Sequence, residues 1–276
     1  VSSFVAFCAE RGLIVEHLSV GRWVRTKTTD HPRKRNGAYW YGVEFGHVCN
    51  WATMQTTETW LANGQNHSDP DLIRRLEASR HNADRKRAED ARQAEEIALG
   101  MLQKALPMTH PYLIAKGLPD LKAPVLDQTL LVRMEDERGR LAGLQTIEMV
   151  DGEWKKKMLH GMKAKGASLR LGRGDSPVLC EGFATGLSID QVLQSMPSRL
   201  YVIVCFSDGN LVEVAKRYPN ARVFADNDAS GAGQRAAEKS GKPWVMSDRE
   251  GEDANDLFRR NPMELAQKVR FLARLK

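Results

Sequence analysis

Three short apolar runs constrain this chain more than any other feature. The first, Pro177-Val178-Leu179-Cys180, delivers Glu181 and Gly182 and then the helix-like stretch to Ser188. The second is Leu200-Tyr201-Val202-Ile203-Val204-Cys205-Phe206, rich in β-branched and aromatic residues. The third, Arg222-Val223-Phe224-Ala225, ends in Asp226-Asn227-Asp228. Runs this short and apolar, separated by helix-length intervals, read as buried parallel strands of an α/β unit. Ligands of such sheets gather outside the carboxyl ends of the strands, so Glu181, Asp226 and Asp228 share one rim. Acids in that position form an oxygen-ligand site for Mg²⁺ or Mn²⁺. Residues 226 and 228 point to one face if the strand continues that far. Singly, a Glu-Gly is a strand end and an Asp-Asn-Asp is a turn; their combination in one α/β unit points to a site.

The Glu181-Gly182 and Asp226-x-Asp228 strand ends, with the later Gly251-Glu252-Asp253-Ala254-Asn255-Asp256-Leu257, resemble the Toprim domain. That domain is shared by bacterial-type primases, type IA and type II topoisomerases and some nucleases. The phrase Glu181-Gly182-x-Ala184-Thr185-Gly186-Leu187-Ser188 is most similar to the primases of phages and conjugative plasmids. The resemblance implies a Rossmann-like parallel sheet and makes Asp253 a further metal-side acid. Asp256 is expected to cap or brace the last helix, from about Pro262 to Leu275.

The 276 residues suffice for one large domain or two ordinary ones with a real core. Lys and Arg number 41 against 35 Asp and Glu, a formal charge of +6 that is compatible with nucleic acid without proving it. Cys8, Cys49, Cys180 and Cys205 are scattered, which predicts free thiols and a reducing cytoplasm. No apolar stretch reaches the roughly 20 residues that cross a bilayer, and no signal sequence stands at the start. The chain opens on Val, so a trimmed N-terminus or a fragment is expected.

Residues 1–67 predict a small β-rich module. A short helix is expected over Phe4 to Leu18, then strands around Trp23, Tyr39 and Val48 with turns near Asp30-His31-Pro32 and Asn36-Gly37. Arg25, Lys27, Arg33, Lys34 and Arg35 interleave with Trp23, Tyr39, Trp40 and Tyr41, the make-up of a surface where bases stack and phosphates meet cations. The alternative is a thin aromatic core with a solvated basic loop. His47-x-Cys49 matches no zinc ribbon or finger spacing. The run Gly37-Ala38-Tyr39 … Asn50-Trp51-x-Thr53 resembles instead the zinc-free N-terminal module of some phage and plasmid Toprim primases.

Residues 68–106 predict a charged connecting helix, with Ser68 or Asp69 as cap and Pro70 in its first turn. Its alternating charges fit a solvated helix held by i,i+4 pairs. Residues 107–173 predict consecutive antiparallel strands at Leu130–Met134, Leu141–Ile147 and Trp154–Met158, turning at Glu137-Arg138-Gly139-Arg140 and Asp151-Gly152. This segment concentrates Lys155, Lys156, Lys157, Lys163, Lys165, Arg170 and Arg173. A bare lysine run also suits a solvated edge strand. The order of strands before the acids is similar to the catalytic core of bacterial-type primases, where basic residues hold incoming nucleotides. Lys157 and Lys165 match most closely, and Arg133, Lys155 and Lys163 complete the nucleotide- or template-binding candidates. Gln145 stands where cellular enzymes carry an arginine.

Residues 174–276 are then the Toprim catalytic domain, with a fourth strand at Trp244–Met246. The expected activity is synthesis of short RNA primers on single-stranded DNA from ribonucleoside triphosphates, in phage or plasmid replication inside a bacterial host. Asp226, Asp228 and Asp253 would hold metal, and Glu181 would hold a second metal or act as general base. Trp23, Arg25, Lys34, Tyr39 and Trp40 would engage the template. No helicase motor is visible, so a separate replicative helicase is the expected partner. A Toprim-type nuclease and a non-catalytic single-strand-binding module are the alternatives. No tyrosine partner domain supports a topoisomerase.

Overall fold

The computed structural model describes residues 3–54, 56–62 and 70–275, in two compact units that part between Ala83 and Asp84. In the first unit, Ser3 caps α1 (Phe4–Glu10) by accepting from the Ala6 N–H. A five-stranded antiparallel sheet follows in chain order: β1 (Leu13–Ile14), β2 (Trp23–Thr28), β3 (Gly37–Tyr41), β4 (Phe45–Asn50) and β5 (Glu58–Leu61). The helix expected to reach residue 18 ends at Glu10, because the chain turns at Arg11-Gly12 and enters β1. Phe4 and Cys8 pack on one face of the sheet, against Tyr39, Val48 and Trp60.

Helix α2 (Pro70–Lys104) runs from the first unit into the second; its expected caps, Ser68 and Asp69, lie outside the described residues. The second unit holds an antiparallel sheet of β6 (Leu106–Met108), β7 (Ala123–Leu126), β8 (Thr129–Glu135), β9 (Leu141–Val150) and β10 (Glu153–Met158). A short helix, α3 (Pro111–Ala115), lies between β6 and β7. Asp151 and Gly152 take φ of 53° and 77°, the paired positive values of a tight hairpin turn. One face of this sheet sets Leu131 and Leu144 against Ala98 of α2. The other sets Leu130, Val132, Met134 and Ile147 into the main core, with Val178, Cys180 and Leu187. Side chains alternate across a strand, so one residue's shift decides which of these surroundings it meets.

The remaining sheet has the order β11-β13-β12-β14-β15. Its strands are β11 (Leu169–Leu171), β12 (Ser176–Cys180), β13 (Leu200–Val204), β14 (Arg222–Ala225) and β15 (Trp244–Met246). Strands β12 to β15 are mutually parallel, whereas β11 runs antiparallel on the edge beside β13. The sheet is therefore mixed and mostly parallel. Helices α4 (Phe183–Gln194), α7 (Ala254–Arg260) and α8 (Pro262–Arg274) cover one face, and α5 (Asp208–Ala215) and α6 (Ala232–Ser240) the other. Gly186 lets α4 lie flat on the sheet, since a Cβ there would stand 2.5 Å from Val204 Cγ2. Among the described residues, no helix is long and apolar enough to cross a membrane. All four cysteines are free thiols.

Candidate active site

Three acids come together at the carboxyl ends of the parallel strands. Glu181 follows β12 directly, and its carbonyl accepts from the Phe206 N–H at 2.8 Å. Phe206 takes φ 68°, a conformation uncommon for a bulky residue, and turns the chain from β13 into α5. Asp226 follows β14. Asp253 is the N-cap of α7, with its Oδ1 accepting from the Asp256 N–H at 2.9 Å. Asp256 returns the bond to the Asp253 N–H, completing a capping box. It braces α7, not the last helix α8, which Asn261 caps.

Asn227 stitches the two acid-bearing loops together. Its N–H donates to the Glu252 carbonyl at 3.1 Å, its carbonyl accepts from the Gly251 N–H at 2.6 Å, and its Nδ2 donates to the Ser247 carbonyl at 3.0 Å. Glu252 itself is engaged by Arg260 Nε at 2.7 Å and by the Ser247 hydroxyl; these bonds hold its carboxyl down at about 2.

The condition for residues 226 and 228 to share a strand face is not met, because β14 ends at Ala225. Asp228 turns instead to the start of α6. It accepts from the Ser230 and Gly233 N–H groups at 2.9 and 3.0 Å, from the Ala232 N–H at 3.3 Å, and from the Ser230 hydroxyl. Those donors, led by the hydroxyl, hold its carboxyl down at about 2. Gly233 makes the approach possible, since a Cβ there would stand 2.2 Å from the Asp226 carbonyl oxygen.

Asp226 has the opposite character. Burial, then the neighbouring charges of Asp253 and Glu181, push its carboxyl up to about 8. Its Oδ1 is wholly buried with no hydrogen-bond partner, which is costly for a carboxylate. Glu181 is raised by burial first and then by Asp208 and Asp228. Among the described residues, no three His, Cys, Asp or Glu side chains stand close enough together to hold a metal ion as placed. The chemistry of the set nevertheless fits a hard divalent cation: crowded carboxylates, one with an orphaned oxygen, gain most from a positive charge.

A cation on the antiparallel sheet lies near enough to feel the charge of these acids. Lys156 pairs with Ile147 across β9 and β10, so it shares the core-facing side with Trp154, which packs against Tyr112 at 5.4 Å between ring centroids. Its Nζ lies 5.8 Å from the Tyr112 ring centroid. Lys156 is an exposed residue of β10, yet the protein around its ammonium lowers its pKa by desolvation, followed by Lys116. Asp253, Asp226 and Glu181 act in the other direction. Lys155 and Lys157 point to the opposite side of β10, where Lys155 pairs with Glu153 and Lys157 with Glu148 at 3.1 Å.

The other basic candidates lie apart from Lys156. Lys163 and Lys165 line a crevice of about 190 Å³ with Arg138, Arg140 and Arg217; none of Glu181, Asp226 and Asp253 lines it. Lys165 also stands 3.7 Å from Glu213. Arg133 pairs with Glu135 at 3.4 Å, and Gln145 is buried. In the first unit, Trp23, Arg25 and Lys34 are exposed and Trp40 half-buried. Tyr39 belongs to the core, its hydroxyl donating to the His17 carbonyl at 2.7 Å, because it sits on the face that α1 covers.

Sequence reasoning named Lys156 and Asn255 only inside longer runs, without a role, and passed over Tyr112 and Asp208. Asn255 is fully buried and donates to the Lys116 carbonyl and the Ser188 hydroxyl at 2.8 and 2.9 Å, tying α7 to the segment after α3 and to α4. The one signal for Lys156 was its two-residue spacing from the apolar Trp154.

The family model of the Toprim domain matches residues 176–263. Among curated proteins, none matches the sequence. Similar solved structures include the primase fragment of the bacteriophage T7 primase-helicase protein, at 16% identity and TM-score 0.39, over 53% of this chain and 65% of that one. Others are the DnaG primase catalytic domain bound to single-stranded DNA (12%, 0.36, over 62% and 59%) and the E. coli primase catalytic core (14%, 0.35, over 64% and 59%). The chain spans less than two thirds of the length of each. Residues 176–263, with Glu181 closing one parallel strand and Asp226 following another, are a Toprim domain.

Proposed function

We propose that this chain is a primase that joins ribonucleotides on single-stranded DNA. The observation that carries the reading is Lys156, which its pairing with Ile147 sets on the same face of the antiparallel sheet as Trp154, within the field of Asp253, Asp226 and Glu181. A nuclease needs those acids to hold metal, whereas a polymerase must also grip a triphosphate. Mg²⁺ or Mn²⁺, held by Asp226 and Asp253, would neutralise the triphosphate charge. Lys156 binds the triphosphate as the 3′-hydroxyl displaces pyrophosphate in line. Glu181, raised by burial and by Asp208, is suited to accept the hydroxyl proton. Asp228 serves the site by fixing the start of α6 against the Asp226 backbone.

Arg133, Lys155, Lys157, Lys163 and Lys165 offer charge for the template or product backbone. By this reading residues 1–67 engage the template, 68–106 connect, 107–173 supply Lys156, and 174–276 carry the acids. The setting is phage or plasmid replication in a bacterial cytoplasm, beside a separate helicase. The test is incubation of the protein with single-stranded DNA, Mg²⁺ or Mn²⁺ and four ribonucleotides, one of them labelled. Short labelled oligonucleotides support the reading; degraded template without new oligomers moves it to the nuclease.

A further inference from the structure

The first unit carries an aromatic groove outside its core. Trp23, Arg25 and Lys27 alternate outward along β2, while Val24, Thr26 and Thr28 turn inward. The register sets Trp40 opposite Trp23 and Ala38 opposite Arg25, then His47 opposite Trp40 and Cys49 opposite Ala38. These residues share the face opposite to Tyr39, Val48 and Trp60, which hold the core with α1.

On that face Trp23, Arg25, Ala38, Cys49, Trp51 and Thr57 line an open groove of about 450 Å³. Trp23 and Trp51 are 53% and 49% exposed, more indole surface than folding alone calls for. Ala38 and Cys49 make a small apolar floor, because neither side chain is long enough to fill the space between the indoles. The Arg25 guanidinium lies 4.7 Å from the Trp51 ring centroid. Trp23 stacks on His47 at 6.2 Å with 16° between planes, which holds its indole in place.

We propose that this groove takes one unpaired base of a single strand of DNA, stacked on the indoles of Trp23 and Trp51. The adjoining phosphates would meet Arg25 and Lys27. Flat apolar walls suit any base, and cations at two-residue intervals along one strand suit a backbone rather than an isolated ring. A free nucleotide offers no chain to follow both cations along β2, and dTTP below is its probe. The inference deepens the primase reading by naming how the template is held. Its test uses binding alone, so failure of primer synthesis and failure of the groove are separate results.

The experiment uses the full chain without metal or ribonucleotides. Three probes are compared: an oligothymidylate, an abasic strand of the same length, and dTTP. Cys8, Cys180 and Cys205 are buried and Cys49 only partly so, which makes alkylation of Cys49 a footprint of the groove floor in the unaltered protein. Oligothymidylate is expected to quench tryptophan fluorescence and slow Cys49 alkylation several-fold, whereas the abasic strand and dTTP do neither. Trp51→Ala should weaken oligothymidylate binding about tenfold. Ala38→Ile, which fills the floor, should weaken it similarly, while Trp23→Phe keeps most of it. Absent binding, equal binding of the abasic strand, unprotected Cys49, or equal protection by dTTP would each overturn the proposal.

Discussion

Lys156 lies opposite Ile147 across the β9–β10 ladder, and that pairing sets one lysine of three on the face of the sheet that meets the Toprim core. Ile147 is fully buried in the core that joins the antiparallel sheet to the parallel one. The partner strand therefore fixes which side Lys156 faces, while Lys155 and Lys157 take the other. Lys156→Ala is expected to raise the KM for ribonucleotides about tenfold or more, the scale of a lost charge-assisted contact. Lys157→Ala should leave that KM within about twofold and weaken binding of single-stranded DNA instead. Steady-state primer synthesis with a parallel DNA-binding titration separates the two. Equal effects on nucleotide KM would contradict the assignment.

The buried carboxyl of Asp226 sets a pH dependence with a definite sign. It holds its proton up to about 8 in the folded protein, against an ordinary value of 3.8. Between those values the folded state binds more protons than the unfolded one, so this group's contribution to stability falls as pH rises. In EDTA, Asp226→Asn should remove that slope and give a Tm several degrees above the unaltered protein at pH 8. Mg²⁺ should narrow the gap by stabilising only the protein that retains the carboxylate. A variant no more stable than the parent at pH 8 would show that the burial of Asp226 is not a cost.

These two residues also mark what the sequence could and could not convey. Glu181 and Asp226 were legible because each ends an apolar run too short for a helix, and such runs in series leave few topologies. Asp253 needed the family resemblance, since its role depends on backbone bonds from Asn227 that no local pattern announces. Three consecutive lysines look alike until the strand pairing is known, and Tyr39 differs from Trp40 only in which face α1 covers. Asp228 was legible as an acid at the rim; its commitment to the α6 N-terminus was hidden in the turn Ser230-Gly231. The edge strand β11 is three residues long and runs against the others, with no periodicity to reveal it.

Asp228 should behave as a structural acid. Asp228→Ala removes the acceptor for the first N–H groups of α6 and is expected to cost about 1–2 kcal/mol in urea unfolding at pH 7. Because the folded carboxyl titrates at about 2 against an ordinary 3.8, its contribution is present above the higher value. It is lost as pH falls through the lower. The difference between variant and parent should therefore shrink below about pH 4. A difference that is constant between pH 7 and pH 3 would rule out the charged cap.

Gly233→Ala places a Cβ against the Asp226 carbonyl oxygen. Such overpacking costs about 1–3 kcal/mol, and here it also displaces a residue of the site, so primer synthesis should fall more than stability predicts. Gly209→Ala, where a Cβ meets nothing within 4 Å, is the control and should leave both near the parent values. Thermal unfolding and primer yield on the same preparations make the comparison.

Primer synthesis on single-stranded DNA by three proteins, the parent, Asp226→Asn and Glu181→Gln, tests most directly whether the Toprim acids carry the chemistry. Short labelled RNA is expected from the parent and none from either variant, with unchanged binding of single-stranded DNA by all three. Primer yields near the parent's from both variants would contradict that, because the Toprim acids would then have no part in the chemistry.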